Sequence, residues 1–136
     1  IQAAILIEKL KVFPHELDAR ADLAEAYYEY LPHSVMRLPV NEAHNISAWA
    51  QFTIKTPVRD DLIRNLASIG IPTTIYYPKP LHLQGGYRHY PTVSTGVANS
   101  SNLSDAVLSL PMHPYVEDAD SHAKYVAKSF QGINQV

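Results

Sequence analysis

Residues 46–77, ISAWAQFTIKTPVRDDLIRNLASIGIPTTIYY, contain the pattern that decides the fold of this chain. Apolar and polar side chains alternate over residues 46–55, which is typical of a strand with one buried face. Thr56-Pro57 then opens a helix, and Gly70 ends it. A second strand is predicted over residues 73–77. The order of these elements predicts a strand, a helix and a strand around one core.

Two helices are predicted ahead of this unit. The pattern over residues 1–10 is helical and apolar from the first residue, without the Ser, Thr, Asp or Asn that usually caps a helix. Such a start is expected of a helix packed against a missing neighbour, and it indicates excision from a longer protein. Pro14 suits the first turn of the second helix, which Pro32 closes. Apolar residues recur along the predicted inner face of that helix at Leu17, Ala21, Ala24, Tyr28 and Leu31.

The remaining elements are shorter. An edge strand is predicted over residues 35–40, a weakly helical stretch over residues 97–105 and an apolar run over residues 106–110. A final helix is expected to bury a stripe formed by Ala119, Ala123, Val126 and Phe130. Together these elements predict a single domain over residues 1–136, of the two-layer α/β (α+β) class. Its small, mostly antiparallel sheet is expected to be flanked by helices.

The composition of the chain argues against several classes of function. With a net charge of −2 and no run of Lys or Arg, the chain lacks the basic stripe that nucleic-acid binding needs. Its apolar runs are far shorter than the about 20 residues that span a bilayer, so no membrane insertion is expected. The absence of cysteine fits a cytoplasmic protein and excludes thiolate chemistry. The histidines are scattered without His-x-x-x-His spacing, so no metal site is predicted.

Residues 75–84, IYYPKPLHLQ, form the main candidate binding segment. The prolines at positions 78 and 80 stiffen the loop, and a stiff loop holds its side chains in place for a ligand. The alternative is a loop that merely turns a corner, with a histidine on the surface. Lys79 between these prolines is interpreted as a solvated or anion-contacting charge, because a Schiff-base lysine needs desolvation or a cationic neighbour.

No catalytic residue is predicted in the chain itself. Gly85-Gly86 does not lie between a strand and a helix, so it is not a phosphate-binding loop. Ser109 lacks the Gly-x-Ser-x-Gly setting of a hydrolase nucleophile. The carboxylates of Asp60-Asp61 and Glu117-Asp118 lie at predicted helix starts, where the helix dipole accounts for them.

Four segments, taken in order, resemble one enzyme family: IQAAIL at 1–6, GIPT at 70–73, YPKPLHLQ at 77–84 and VLSLPMHP at 107–114. They are similar to the C-terminal small domain of the DegT/StrS sugar-nucleotide aminotransferases, which are fold-type-I pyridoxal-phosphate enzymes. The resemblance covers nearly the whole chain. It implies that the Schiff-base lysine and most contacts to pyridoxal 5'-phosphate belong to an N-terminal large domain of the parent. This chain is then expected to bind no cofactor and to be inactive alone.

The resemblance also implies a parent that transfers an amino group, typically from glutamate, to a nucleotide-linked ketosugar for surface polysaccharide or related synthesis. The parent is expected to be a homodimer in which Tyr76, Tyr77 and His82 of this domain contact the nucleotide-sugar substrate. Tyr76 replaces the usual histidine of the family and loses the possibility of positive charge. Two alternatives remain: a free-standing, non-enzymatic interaction or regulatory module, and an independent enzyme that uses Tyr77 or His82 as acid or base.

Overall fold

A computed structural model describes residues 1–131 of the chain. Within this range the elements are helix α1 (Gln2–Tyr30), strand β1 (Phe52–Lys55), α2 (Arg59–Ser68), α3 (Ala98–Ala106), β2 (Val107–Leu110) and α4 (Ala119–Lys128). The predicted small α/β class, with an antiparallel sheet and flanking helices, is confirmed. Over the described residues, every helix is too short or too polar to cross a bilayer.

The sheet has a two-stranded centre with a single bridge on each side. β1 and β2 are antiparallel, with Phe52 opposite Leu110 and Lys55 opposite Val107. Further bridges join Arg37 to Lys55 and Thr74 to Ser109. These two bridges therefore extend the ladder beyond both strands. The candidate loop leaves the sheet just after the second bridge.

The strands are shorter than the sequence predicts. Of residues 46–55 only Phe52–Lys55 form a strand, because Trp49 has a φ of 44° and its amide donates to the Ser47 hydroxyl. This local turn replaces ladder pairing there. The predicted strands over residues 35–40 and 73–77 each supply one bridge, and Pro39 cannot donate to a ladder.

One long helix replaces the two that are predicted at the start, so that prediction is wrong. α1 continues through Pro14, whose ring removes one backbone hydrogen bond to Leu10. Residues 1–15 are all exposed, so water satisfies the carbonyl that loses its partner. The exposed half of α1 carries seven large apolar side chains, with exposed fractions from 46% to 102%: Ile1, Ile5, Leu6, Ile7, Leu10, Val12 and Phe13.

The core lies between one face of the sheet and the helices α1, α2 and α4. Phe52 and Ile54 of β1 are fully buried beside their partners Leu110 and Leu108 on β2. The helices contribute fully buried Leu23, Tyr27, Leu62, Leu66 and Val126. The opposite face of the sheet is polar, since the hydroxyls of Thr53 and Ser109 lie 2.8 Å apart. Only the helix-facing side of the sheet is therefore apolar.

Local signals place α2 and α4. Gly70 has a φ of 78° after α2, and the amide of Ile71 donates back to the Leu66 carbonyl at 2.9 Å, which ends the helix. At the start of α4 the Asp118 carboxylate accepts from the Ser121 amide at 2.9 Å. Hydrogen bonds from Ser121 lower the pKa of Asp118. Asp60 and Asp61 lie in the first turn of α2 and Asp118 caps α4, as predicted, whereas Glu117 lies before the cap and outside the helix.

Candidate functional site

Loop 75–84 is held at both ends. At its start, the amide and carbonyl of Thr74 exchange hydrogen bonds of 3.2 and 2.8 Å with Ser109 of β2. At its end, residues Leu81–Leu83 form one 3-10 turn, and the Leu83 amide donates to the Pro80 carbonyl at 3.0 Å. The Gln84 side-chain amide then donates to the Lys79 carbonyl at 3.2 Å. The loop backbone is therefore fixed relative to the sheet.

Two of the three predicted substrate residues lie together in one open cleft of about 510 Å³. The rings of Tyr76 and Tyr77 meet edge to face with centroids 5.9 Å apart. Tyr76 is 45% exposed and Tyr77 is 73% exposed, so both phenols are accessible to a ligand. Lys79 lines the same cleft. The structure therefore brings two phenols and one ammonium group together.

His82 lies beside this cleft and does not line it. Its side chain is half-buried, and its Nε2 atom lies 3.2 Å from the hydroxyl oxygen of Ser101 on α3. This contact fastens the loop to α3. A direct contact between His82 and a substrate stays a prediction.

The opposite wall of the cleft comes from α3, which the sequence does not identify as functional. Ser100, Leu103 and Ser104 line this wall. Arg59 of α2 fixes its position, since the guanidinium Nη1 donates to the Ser104 carbonyl at 2.6 Å. From the sequence this stretch is merely polar and weakly helical. The one sequence feature that could have drawn attention to α3 is its position just before the VLSLPMHP segment, and this position does not indicate a ligand.

Among the described residues that line the cleft there is no carboxylate to act as acid or base, and the one cation, Lys79, is exposed to solvent, so the cleft is suited to binding. Phenol and serine hydroxyls pair with sugar-like hydroxyls, and an ammonium group pairs with phosphate oxygens. All lysines of the chain are exposed: Lys9, Lys11, Lys55, Lys79, Lys124 and Lys128. None has the desolvated setting that a Schiff-base lysine needs. The described residues therefore do not form a pyridoxal-phosphate site by themselves.

The sequence of this chain is similar to those of known aminotransferases. UDP-2-acetamido-2-deoxy-3-oxo-D-glucuronate aminotransferase of Pseudomonas aeruginosa is 35% identical over 122 residues, which are 88% of this chain and 32% of that protein. Erythromycin biosynthesis sensory transduction protein EryC1 of Saccharopolyspora erythraea is 37% identical over 120 residues, 85% of this chain and 32% of that protein. The chain thus spans about a third of the length of these relatives.

A solved aminotransferase from Brucella abortus has the same fold. It matches with a TM-score of 0.87 and 45% identity, over 96% of this chain and 35% of that one. The family model of these aminotransferases matches residues 1–131. The resemblance inferred from the four ordered segments is therefore confirmed, and the chain belongs to the DegT/DnrJ/EryC1/StrS aminotransferase family.

Proposed function

We propose that this chain is the small domain of a longer, pyridoxal-phosphate-dependent aminotransferase. The parent transfers an amino group from glutamate to a nucleotide-linked ketosugar, for cell-surface polysaccharide or related sugar biosynthesis. One observation carries the proposal: the family model matches residues 1–131, yet the chain spans only about a third of its relatives. The chemistry of the family therefore needs more chain than is present here.

The exposed apolar half of α1 supports the proposal that another domain packs against this helix. Ile1, Ile5 and Leu10 are among its seven large apolar side chains, and they are 102%, 54% and 63% exposed. Burying one such side chain is worth about 1.5–3 kcal/mol, so the free face is costly to leave in water. The proposed cover is the N-terminal large domain of the parent, which forms a cytoplasmic homodimer.

The name of the Pseudomonas aeruginosa relative describes a UDP-linked oxo sugar as its substrate. A ligand of this class carries sugar hydroxyls and phosphates, which match the phenols of Tyr76 and Tyr77 and the ammonium of Lys79. Tyr76 and Tyr77 orient the sugar, Lys79 contacts a phosphate oxygen, and His82 holds the loop against α3 or reaches the sugar directly. Tyr76 gives a neutral donor where the family usually has a histidine.

Family aminotransferases use pyridoxal phosphate, which supplies the electron sink for amino transfer when it is bound. The exposed lysines of this chain do not hold it, so the cofactor is assigned to the large domain of the parent. The role of this chain is to bind and orient the substrate and to close one side of the cleft.

The reading frame around this segment tests the proposal. We expect it to encode, upstream, a lysine-bearing domain of about 230 residues, a size set by two-domain anatomy. The complete protein, supplied with pyridoxal phosphate, glutamate and a UDP-linked 3-oxo sugar, should form 2-oxoglutarate, whereas the 136-residue chain should form none. A frame without such a domain, or a complete protein inactive on every nucleotide-linked ketosugar tried, would refute the proposal.

A second candidate is an interaction or regulatory module without chemistry. The name of the Saccharopolyspora erythraea relative, a sensory transduction protein, favours this candidate. Gel filtration with light scattering on the chain separates the two candidates. A stable monomer that binds no apolar dye would favour the module, whereas self-association through α1 would favour the excised domain.

A further inference from the structure

A second cleft, of about 480 Å³, lies on the other side of Tyr76. Its lining includes apolar residues such as Ile71 and Leu110 and the polar residues Gln51, Thr74, His113 and His122. No Asp, Glu, Lys or Arg is among the described residues that line it. Its charge is therefore set by two imidazoles, and the size is that of a small-molecule site. Neither the family comparison nor the proposed substrate accounts for this pair of histidines.

The hydrogen bonds of His122 fix its tautomer. The Tyr27 hydroxyl donates to the Pro111 carbonyl at 2.8 Å, which uses its one proton. The contact of 3.1 Å between that hydroxyl and His122 Nε2 therefore has the imidazole as donor. Nδ1 is left as the proton acceptor, and over residues 1–131 it has no protein hydrogen-bond partner. A proton added at Nδ1 would leave the bond to Tyr27 intact.

His113 is held in the same tautomer. Its Nδ1 accepts from the Tyr115 amide at 3.3 Å, so the neutral ring carries its proton on Nε2. The Tyr115 hydroxyl in turn donates to Glu16, which ties this turn to α1. His113 thus has one N–H free to donate, and a protonated His122 has a second.

The uncharged form of His122 is the resting one near neutral pH. Burial lowers the pKa of His122, and the charge of His113 lowers it further. Tyr27 faces the same ring from α1, and burial raises the pKa of its phenol, so it stays neutral. Within four residues of His122 along α4 and its N-cap, the charged side chains are Asp118, Asp120 and Lys124. An anion between the two imidazoles would offset both effects that disfavour the charged form of His122.

We propose that this cleft binds a small oxyanion, a carboxylate or a phosphate group, between His113 and His122. Thr74 and Tyr76, each of which carries a hydroxyl donor, also line this cleft. Binding is coupled to uptake of a proton at His122 Nδ1. The cleft is distinct from the one that Tyr77 and Lys79 line, although Tyr76 belongs to both.

Proton NMR of the imidazole rings of this chain tests the site, with sodium acetate and inorganic phosphate as separate probes against a sodium chloride control. We expect the His113 and His122 resonances to shift together and to saturate. Affinity should be about tenfold or more tighter at about pH 6 than at about pH 8, because one proton is bound with each anion. Saturation by acetate alone assigns a carboxylate site, by phosphate alone a phosphate site, and by both a general oxyanion site.

His113→Gln should abolish most of the anion-dependent shift of His122, while His44→Gln, at an exposed position outside the cleft, should leave it unchanged. Circular dichroism checks that both variants are folded. If a variant does not fold, the titration of the wild-type chain still tests the proposal. Shifts that rise linearly with anion concentration, shifts equal to those of the other histidines, or tighter binding at higher pH would each overturn the proposal.

Discussion

The Tyr27 hydroxyl and the Pro111 carbonyl oxygen lie 2.8 Å apart and join the last turn of α1 to the residue after β2. Tyr27 is fully buried, and its ring packs on Phe52 with centroids 4.8 Å apart. The hydroxyl also accepts from His122 on α4 at 3.1 Å. One side chain therefore connects α1, the sheet and α4 through both apolar and polar contacts.

Tyr27→Phe should keep the packing and remove both hydrogen bonds. We expect the free energy of unfolding to fall by about 1–3 kcal/mol, because a buried carbonyl and an imidazole lose their partner. Tyr125→Phe is the matched control, since Tyr125 is 42% exposed and its hydroxyl bonds only the Ile69 carbonyl. Urea denaturation measures both variants. Equal losses would show that the buried network adds nothing.

Thr56 gives a second test of a buried hydroxyl. Its Oγ1 donates to the Val35 carbonyl at 2.9 Å and accepts from the Val58 amide at 3.3 Å, and the residue is fully buried. Thr56→Val keeps the shape and should cost about 1–3 kcal/mol of unfolding free energy. Thr92→Val, at an exposed position, should stay within about 0.5 kcal/mol. A Thr56→Val variant as stable as wild type would contradict the assigned role.

How much the sequence predicts depends on how local the signal is. Gly70 marks the end of α2 correctly because its φ of 78° suits glycine whatever the tertiary context. The strand over residues 46–55 is overestimated because alternation does not reveal whether a partner strand is within reach. Pro14 leads to the prediction of two helices where there is one, because a proline inside an exposed helix removes only one hydrogen bond, which water replaces.

The same difference between local and long-range signals applies to the residues of the candidate site. Tyr76 and Tyr77 are adjacent in sequence, so their shared cleft follows from a stiff loop. Ser100 and Ser104 reach that cleft only because Arg59 holds the end of α3, a contact across 45 residues. His113 and His122 line one cleft although they lie in different parts of the fold, which no spacing rule reveals. Sites built from long-range packing are therefore the part that sequence reasoning misses.

Acidification should destabilise the fold through His122. Its pKa is lowered from 6.5 in the folded chain, so as pH falls through about 6.5 the unfolded chain binds the proton first. The free energy of unfolding therefore falls with decreasing pH and levels off below the folded-state pKa. His122→Gln should flatten this dependence, whereas His44→Gln should not. Urea denaturation between about pH 8 and pH 5 measures it, and parallel curves for wild type and His122→Gln would contradict the assignment.

The apolar half of α1 should matter for association and not for folding. Leu6 and Leu10 are 58% and 63% exposed, so changing both to Gln should alter the unfolding free energy of the chain by no more than about 0.5 kcal/mol. In the complete protein the same changes should release the large domain or lower its stability, because they remove about 1.5–3 kcal/mol of burial each. Val40→Gln, at an 84% exposed position outside the exposed apolar half of α1, is the control. Loss of folding in the isolated chain would show that α1 is covered there as well.

Lys79 should act on substrate binding and not on chemistry. It is the only cation among the described residues that line the cleft of Tyr76 and Tyr77, and a phosphate there would lose one charge-assisted contact in Lys79→Gln. We expect KM for the nucleotide-linked sugar to rise by roughly fivefold, which corresponds to about 1 kcal/mol, with kcat nearly unchanged. Steady-state kinetics of the complete protein measure both constants, with Lys128→Gln on α4 as the control. The opposite outcome, a lower kcat with an unchanged KM, would place Lys79 in the reaction itself and contradict its interpretation as a solvated, anion-contacting charge.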